Sequence, residues 1–365
     1  MPTIPIVERY AGVAKLPRVE LCTLPTPLEL AVAPLSCADA DVLGGLRIKR
    51  DDLTSRLYGG NKTRKLEFLL GDALAEKRRA VITFGAYGSN HALATAVHAS
   101  ALGIEPHVVL SPQAPGPFAA RTLRAHAGIG TQLHVVGDWD GRRAAVGVRR
   151  MLAERDGLEP CVIPMGGTNA LGALGYVNAA LEVLAQVAET CAAVPDFVYV
   201  AGGTLGTAIG LAVGFAAAGA PTRVVAVRVT PDDIASEAAS RSLAEHTVTL
   251  LRSLDSAFPT LEYQDLRFVL RHDWFEPGYG VVTPETTEAV RLALEDGVAL
   301  ETTYTGKAFA ALLDDARCGL LAGRNVLFWD TYNSAPMPGA GSDDALPPVL
   351  REYVAECDRI FGRKD

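Results

Sequence analysis

In the stretch GGNKTRKLEFLLGDAL at residues 59–74, a pair of glycines leads directly into a helical pattern. The ordinary interpretation is a helix start capped by Asn61, with Lys62 exposed. A lysine in the first turn is nevertheless unusual, since the helix dipole disfavours a cation there. The chain has seven lysines against 27 arginines, so a lysine here indicates an amine that must lose its proton, as a Schiff-base nucleophile does.

Outward from this motif, short runs of β-branched residues alternate with helix-length segments. Such alternation predicts an α/β fold in which parallel sheets carry helices on both faces. The predicted strands are 46–49, 80–84, 106–110, 132–135, 161–164, 197–200, 224–229 and 326–329. The predicted helices include 65–78, 90–102, 118–127, 141–154, 169–189 and 204–218.

A second glycine loop, GAYGSNH at 85–91, lies between a predicted strand and a predicted helix. It brings a hydroxyl, an amide and an imidazole, those of Ser89, Asn90 and His91, to a helix N-terminus. Backbone N–H groups at such a terminus favour a bound carboxylate. A plain connecting loop would have a similar sequence, so the two interpretations stand side by side.

A third glycine loop, GGTLGT at 202–207, follows another predicted strand. Its backbone N–H groups, with the hydroxyls of Thr204 and Thr207, are suited to hold a phosphate. The loop matches neither the dinucleotide-binding nor the Walker pattern, and glycine loops are common in α/β proteins. A Schiff-base lysine and a phosphate loop on one α/β scaffold together suggest pyridoxal phosphate as the cofactor.

Composition describes a globular chain of 365 residues, 49% of them hydrophobic and 21% charged. This length predicts two domains. The net charge of −8 gives no indication of binding to nucleic acid or to an anionic membrane. The uncharged stretch 197–222 is predicted to form a strand, a turn and a helix rather than a membrane span. The six cysteines lie far apart and lack the spacing of a metal site, so we expect reduced thiols and a cytoplasmic location. His91 and His98 lie seven residues apart with no carboxylate at suitable spacing, so we expect no metal.

The order of motifs along nearly the whole chain resembles the D-cysteine desulfhydrase and 1-aminocyclopropane-1-carboxylate deaminase family. Besides the lysine motif, the matching segments are LPTPLE (24–29), IKRDD (48–52), GSNHALATA (88–96), VIPMGGTNALGALGY (162–176), AGGTLGTAIGLAVG (201–214), EPGYGV (276–281) and TYTGKAFAALL (303–313). The resemblance implies a two-domain tryptophan synthase β-like fold, type II of the pyridoxal phosphate enzymes. Each domain would be an open, mostly parallel sheet flanked by helices.

The resemblance implies cofactor-binding roles for matching positions. Lys62 would bind pyridoxal phosphate covalently, Asn90 would lie near its ring hydroxyl, and Thr305 would face its pyridine nitrogen. The phosphate cradle would consist of Gly203, Thr204, Leu205, Gly206 and Thr207.

The same resemblance implies catalytic and substrate-binding roles. Ser89 would sit over the cofactor, and in the family's deaminases this serine acts as nucleophile or base. Tyr279 and Tyr304 would face that serine and the substrate. Ser89, Asn90 and His91 would hold the carboxylate of a small amino-acid substrate.

The implied activity is elimination. Lys62 would remove the Cα proton, a β-leaving group such as thiolate would depart, and a keto acid and ammonia would result. Thr305 and His91 favour a desulfhydrase-like reaction, because the deaminases resemble one another in having glutamate and glutamine there. The segment DTYNSAP (330–336) departs from the family pattern, with bulkier polar groups and one extra residue. Cyclopropane deamination, reaction of another polar amino acid, and an amino-acid sensor without turnover therefore remain open.

The resemblance also implies a domain arrangement. A small domain, 63–176, would be inserted into a large one made of 1–62 plus 177–365, with the active site in the cleft between them. The chain would form a homodimer and would bind neither nucleic acid nor membrane.

Overall fold

Two sheets organise the computed structural model, which describes residues 3–31, 44–116, 118–137, 141–157 and 159–363. Both are built from strands that alternate with helices, so the predicted α/β class is confirmed. The strands are β1 (Leu28–Leu30), β2 (Gly45–Arg50), β3 (Ala80–Ala86), β4 (Glu105–Ser111), β5 (Gln132–Val135), β6 (Cys161–Val162), β7 (Phe197–Gly202), β8 (Arg223–Arg228), β9 (Phe268–Arg271) and β10 (Asn325–Asp330).

The larger sheet has the order β1-β2-β10-β7-β8-β9, and the smaller has the order β5-β4-β3-β6. Every pairing is parallel except that of β1 with β2. All eight predicted strands are present, although the one predicted for 161–164 ends at Val162, before Pro164, which lacks a backbone N–H for the ladder. The prediction missed β1 and β9, which are edge strands of only three and four residues with mixed burial.

Eleven α-helices connect or flank these strands in the described residues. They are α1 (Pro5–Arg9), α2 (Asn61–Ala75), α3 (Asn90–Ala101), α4 (Ala119–Gly128), α5 (Gly141–Asp156), α6 (Ala170–Glu189), α7 (Gly206–Ala217), α8 (Glu237–Leu254), α9 (Pro284–Glu295), α10 (Thr305–Arg317) and α11 (Pro348–Phe361). The six predicted helices are found, but α2 begins four residues earlier than predicted. Gly60, at φ 88°, turns the chain so that Asn61 already belongs to the helix.

The main hydrophobic core lies between the larger sheet and the helices α6 and α7. Of the described helices, α6 alone is long and apolar enough to cross a membrane, and most of its apolar stretch is buried inside the protein. The segment predicted as strand, turn and helix is β7 followed by α7. None of the five described cysteines forms a disulfide, and Cys37 lies outside the described residues.

The smaller sheet lies entirely between residues 80 and 162, inside the predicted small domain. Two helices, α2 and α6, run across the predicted boundaries at 62–63 and 176–177. The C-terminal helix α11 packs beside α4, where the ring of Tyr353 meets Tyr87 edge-on. The C-terminal end of the chain thus covers the unit that contains the smaller sheet. The boundaries themselves stay a prediction.

Candidate active site

A cavity of about 350 Å³ lies where β3 and β7 end and where the helices α2, α3, α7 and α10 begin. Four helix N-termini therefore border one space, which favours negatively charged ligands. Every site residue predicted from the sequence lines this cavity: Lys62, Ser89, Asn90, His91, Gly203, Thr204, Leu205, Gly206, Thr207, Tyr279, Tyr304 and Thr305. Their individual roles stay predictions, and the contacts below show what each can do.

Lys62 is the second residue of α2, and its Nζ donates a hydrogen bond to Asn61 Oδ1 at 2.7 Å. Enclosure lowers the pKa of this amine to about 8, against an opposing effect of Glu301. The ordinary interpretation, in which Asn61 caps the helix, does not hold, because the cap position is Gly60 and the side chain of Asn61 faces the cavity. Its Nδ2 donates to Thr207 Oγ1 at 2.9 Å, so one amide joins the lysine to the glycine loop.

The glycine loop after β7 turns into α7 through Leu205, whose φ of 65° is left-handed. A Cβ at Gly206 would lie 2.7 Å from Thr168 Oγ1 and 2.8 Å from Lys65 Nζ. Only glycine therefore leaves the N-terminus of α7 open to a ligand. Thr168 and Thr204 share a hydrogen bond of 2.6 Å, so a second hydroxyl borders the cradle.

Lys65 was missed by the sequence analysis. It is buried one turn after Lys62, and its Nζ donates to Gly166 O at 3.1 Å and Thr168 Oγ1 at 3.4 Å. Burial and the neighbouring Lys62 hold the pKa of Lys65 well below its usual value. A phosphate in the adjacent cradle would restore the lost solvation of this amine. The signal was present in the sequence, since positions three apart share one helix face.

Residues 19–331 match the family described as pyridoxal-phosphate dependent enzyme. The chain belongs to this family. Its residues fit pyridoxal phosphate: Lys62 would anchor the cofactor, and the 203–207 loop with Lys65 would hold its phosphate. A type II fold is confirmed by the same match and by the solved structures that resemble this chain.

Among these structures, one described as an ACC deaminase homologue is 32% identical, with a TM-score of 0.76, and the match covers 92% of this chain and 96% of that one. A threonine deaminase from T.th. is 22% identical, with a TM-score of 0.56, over 91% of this chain and 98% of that one. A hydrogen sulfide-producing enzyme from Fusobacterium nucleatum is 15% identical, with a TM-score of 0.57, over 84% and 95%. The last two show likeness of fold alone.

The N-terminus of α3 forms the part of the cavity wall in this pyridoxal-phosphate enzyme where the sequence predicts that a substrate carboxylate binds. Ser89 caps the helix, and its Oγ accepts from Ala92 N at 3.2 Å. Asn90 Oδ1 accepts from the Tyr58 hydroxyl at 3.3 Å, which leaves the amide Nδ2 of Asn90 available to a ligand. A Cβ at Gly85 would lie 2.4 Å from Ser89 Oγ, so the glycine makes room for this hydroxyl.

His91 lines the cavity but is buried, and its Nε2 shares a hydrogen bond of 2.8 Å with Thr83 Oγ1. Burial, with Lys62 and Lys65 nearby, holds the pKa of His91 well below 6.5. The imidazole is therefore neutral and brings no positive charge to the predicted carboxylate site, where its substrate-binding role stays a prediction. His98 Nε2 is bonded to Tyr58 O at 2.9 Å, and no metal-binding group of three or more ligands occurs among the described residues.

Tyr279 and Tyr304 share a hydroxyl–hydroxyl hydrogen bond of 2.7 Å, with their rings edge-on. Beside them, Thr305 Oγ1 accepts from Glu301 N at 2.9 Å and lies 3.3 Å from Glu301 Oε1. Glu301 also lines the cavity and was missed by the sequence analysis. A carboxylate therefore stands behind the threonine, so the presence of Thr305 does not leave this end of the cavity without an acidic group.

The segment 330–336, whose sequence departs from the family pattern, forms part of the cavity wall and contacts the lysine motif. Thr331 and Tyr332 line the cavity, and Tyr332 N donates to Asp330 Oδ1 at 3.0 Å. Asn333 Oδ1 accepts from Gly59 N at 2.6 Å, three residues before Lys62. The segment therefore introduces a phenol at the cavity and supports the loop that carries the reactive amine.

Proposed function

We propose that this enzyme is a lyase that removes the Cα proton of a small amino acid and expels a β-leaving group. The reaction would be of the D-cysteine desulfhydrase type, yielding keto acid, ammonia and sulfide. The observation that carries the proposal is the state of Lys62. Its amine is held by a neutral amide, and burial lowers its pKa to about 8, so that near neutral pH a larger fraction is unprotonated and able to act as a base than in an ordinary lysine.

Pyridoxal phosphate, when bound, supplies the electron sink for this chemistry. The chain itself orients the substrate and moves protons. The N-terminus of α3 would hold the carboxylate through backbone N–H groups and Asn90. Lys62 would take the Cα proton, and the hydroxyl pair of Tyr279 and Tyr304 would donate a proton to the departing sulfur.

A second candidate is deamination of the cyclopropane amino acid, which has no Cα proton. The 32% identical ACC deaminase homologue and the Glu301 carboxylate behind Thr305 favour it. Tyr332 in the cavity wall favours a third, elimination or replacement on a different polar amino acid. A sensor without turnover is the non-enzymatic alternative. A cytoplasmic homodimer, which light scattering and fractionation would test, is part of the proposal.

The test is a substrate panel on purified enzyme loaded with pyridoxal phosphate. D-cysteine, L-cysteine, both enantiomers of β-chloroalanine, serine and the cyclopropane amino acid are offered, and keto acid and sulfide are recorded separately. We expect pyruvate and sulfide from D-cysteine. Lys62→Ala should abolish both the yellow colour and turnover, whereas the matched variant Lys77→Ala, at the exposed end of α2, should retain them.

Other outcomes separate the alternatives. 2-Oxobutyrate from the cyclopropane substrate, without sulfide from D-cysteine, would replace the elimination proposal with deamination. A coloured enzyme that shifts its absorbance with an amino acid but releases no product would indicate the sensor. If pyruvate were released only from serine or L-cysteine, the proposed substrate would be replaced, whereas the proposed elimination reaction would stand.

A further inference from the structure

The carboxylate of Glu301 is fixed by the first turn of α10. Its Oε2 accepts from Thr303 N at 2.7 Å, and its Oε1 accepts from Tyr304 N at 2.8 Å and Thr305 N at 2.9 Å. Tyr304, at the N-cap position of the helix, supplies no side-chain cap of its own. One buried carboxylate thus satisfies three backbone donors at a helix N-terminus, where a negative charge is favoured.

This anchoring reaches the reactive part of the cavity through two routes. The first is covalent: the backbone of Tyr304 is held by Glu301, while its hydroxyl is bonded to that of Tyr279. The second is the hydroxyl of Thr305, which lies within 3.3 Å of Glu301 Oε1. A shift of the carboxylate would therefore move both a phenol and a hydroxyl that line the site.

Charge is the second observation. Among the described residues, two carboxylates line the cavity, Glu301 and Asp233, and Asp233 is exposed at its rim. Glu301 is therefore the buried carboxylate in the same cavity wall as Lys62. The titratable groups that surround Lys62 in the cavity wall are Lys65 on α2, His91 on α3, Tyr279 and Tyr304 beside α10, Tyr332 after β10, Asp233 and Glu301.

We propose that Glu301 is a positioning residue, which holds the first turn of α10 against the cavity and presents one fixed negative charge to Lys62. The inference rests on the proposed role of Lys62 as the cofactor anchor, but not on any particular substrate. The opposing influence of Glu301 on the pKa of Lys62 agrees with it. Loss of this charge should make the amine of Lys62 less basic.

The experiment measures how fast the full-length protein, freed of cofactor, recombines with pyridoxal phosphate across a range of pH. The neutral amine is the nucleophile, so the rate should rise through the pKa of Lys62. In Glu301→Gln the midpoint should move to lower pH by about one unit or more, and in Glu301→Asp it should stay near the wild-type value. Lys62→Ala measures non-specific reaction at other lysines.

Amide hydrogen exchange tests the anchoring. Peptides that cover 303–305 should exchange faster in Glu301→Ala by tenfold or more, while α9 is unchanged. The matched control is Thr283→Ala, which removes the cap of α9, where Thr283 Oγ1 accepts from Thr286 N, and lies outside the cavity. It should speed exchange at α9 and leave the recombination midpoint in place.

The inference would be overturned if the recombination midpoint of Glu301→Gln equalled that of the wild type. It would also be overturned if Glu301→Gln and Thr283→Ala shifted the midpoint by the same amount. Recombination at the wild-type rate in Lys62→Ala would instead overturn the assignment of the cofactor anchor, and with it the proposed function. A failed substrate panel affects neither measurement, so the two proposals fail separately.

Discussion

Two lysines one helical turn apart are held in different ways. Lys62 bonds to a side-chain amide that also contacts the glycine loop, whereas Lys65 points at Gly166 O and Thr168 from a fully buried position. In the proposed function the first amine reacts, and the second would stay in place and neutralise an anion. A phosphate charge beside Lys65 would offset the cost of burying it.

Lys65→Met should weaken retention of pyridoxal phosphate about 10- to 100-fold, because a hydrogen bond to a charged group contributes about 1.5–3 kcal/mol. Lys62 remains, so the yellow colour should still develop at high cofactor concentration. Dialysis followed by absorbance titration measures the change. Lys49→Met, which removes a buried lysine outside the cavity, is the control, and equal cofactor loss in both variants would contradict the role of Lys65.

At the scale of elements, α7 uses glycine for two different purposes. At its N-terminus, a Cβ on Gly206 would meet only the ends of Lys65 and Thr168, in the space predicted for phosphate. In its middle, a Cβ on Gly214 would lie 2.7 Å from the backbone oxygen of Val177 on α6. The first glycine keeps a ligand site open, and the second lets two helices approach closely.

Gly206→Ala should therefore fold with nearly wild-type stability and lose bound cofactor, because flexible side-chain ends yield while a phosphate has no room. Gly214→Ala should retain the cofactor in its folded fraction and lose about 1–3 kcal/mol of unfolding free energy through overpacking. Thermal unfolding of the cofactor-free proteins and cofactor content after dialysis distinguish them. Loss of stability in Gly206→Ala together with loss of cofactor in Gly214→Ala would refute these two roles of glycine in α7.

At the scale of the whole molecule, a buried ionic network joins distant segments behind the lysine motif. Arg64 donates to Asp51 Oδ1 at 2.7 Å and Glu182 Oε1 at 2.9 Å, and Lys49 donates to the same Glu182 oxygen at 2.6 Å. Trp329 Nε1 donates to Asp51 Oδ2 at 2.8 Å. The larger sheet, α2 and α6 are thereby tied together two residues from Lys62.

Arg64→Met should lower the unfolding free energy by about 3–5 kcal/mol at neutral pH, because two carboxylates lose their buried partner. Burial opposes ionisation of Glu182, but Arg64 and Lys49 lower its pKa to about 2, below the ordinary 4.5. Its contribution is thus complete above pH 4.5 and is lost as the pH falls toward 2. The difference between wild type and variant should shrink over that window.

Urea unfolding from neutral pH to about pH 3 measures this dependence. Arg291→Met is the matched control, since Arg291 also pairs with two carboxylates, those of Glu288 and Glu295, on the exposed face of α9. Its removal should change stability little at any pH. A difference between wild type and Arg64→Met that stays constant down to pH 3 would count against the network.

Local pattern was enough for much of the fold and site. The eight predicted strands and six predicted helices follow from hydrophobic periodicity, which each segment carries by itself. Glycine loops after strands identified the places where helix N-termini meet, because parallel strands bring their carboxyl ends to one edge of a sheet. Lys62, the predicted cofactor anchor, was singled out because a lysine is out of place in a first helical turn, and the structure places it in the cavity wall.

Contacts between segments far apart in the chain could be seen only in the tertiary structure. Lys65 resembles a surface lysine until burial and Thr168 surround it. Glu301 bonds to residues two to four positions away, and only its place in the cavity wall depends on distant elements. The edge strands β1 and β9 are too short to show a strand pattern by themselves, and their pairing with β2 and β8 is seen only in the fold. Periodicity records which face of an element is apolar, whereas the partner, distance and charge at a site arise only when distant elements pack.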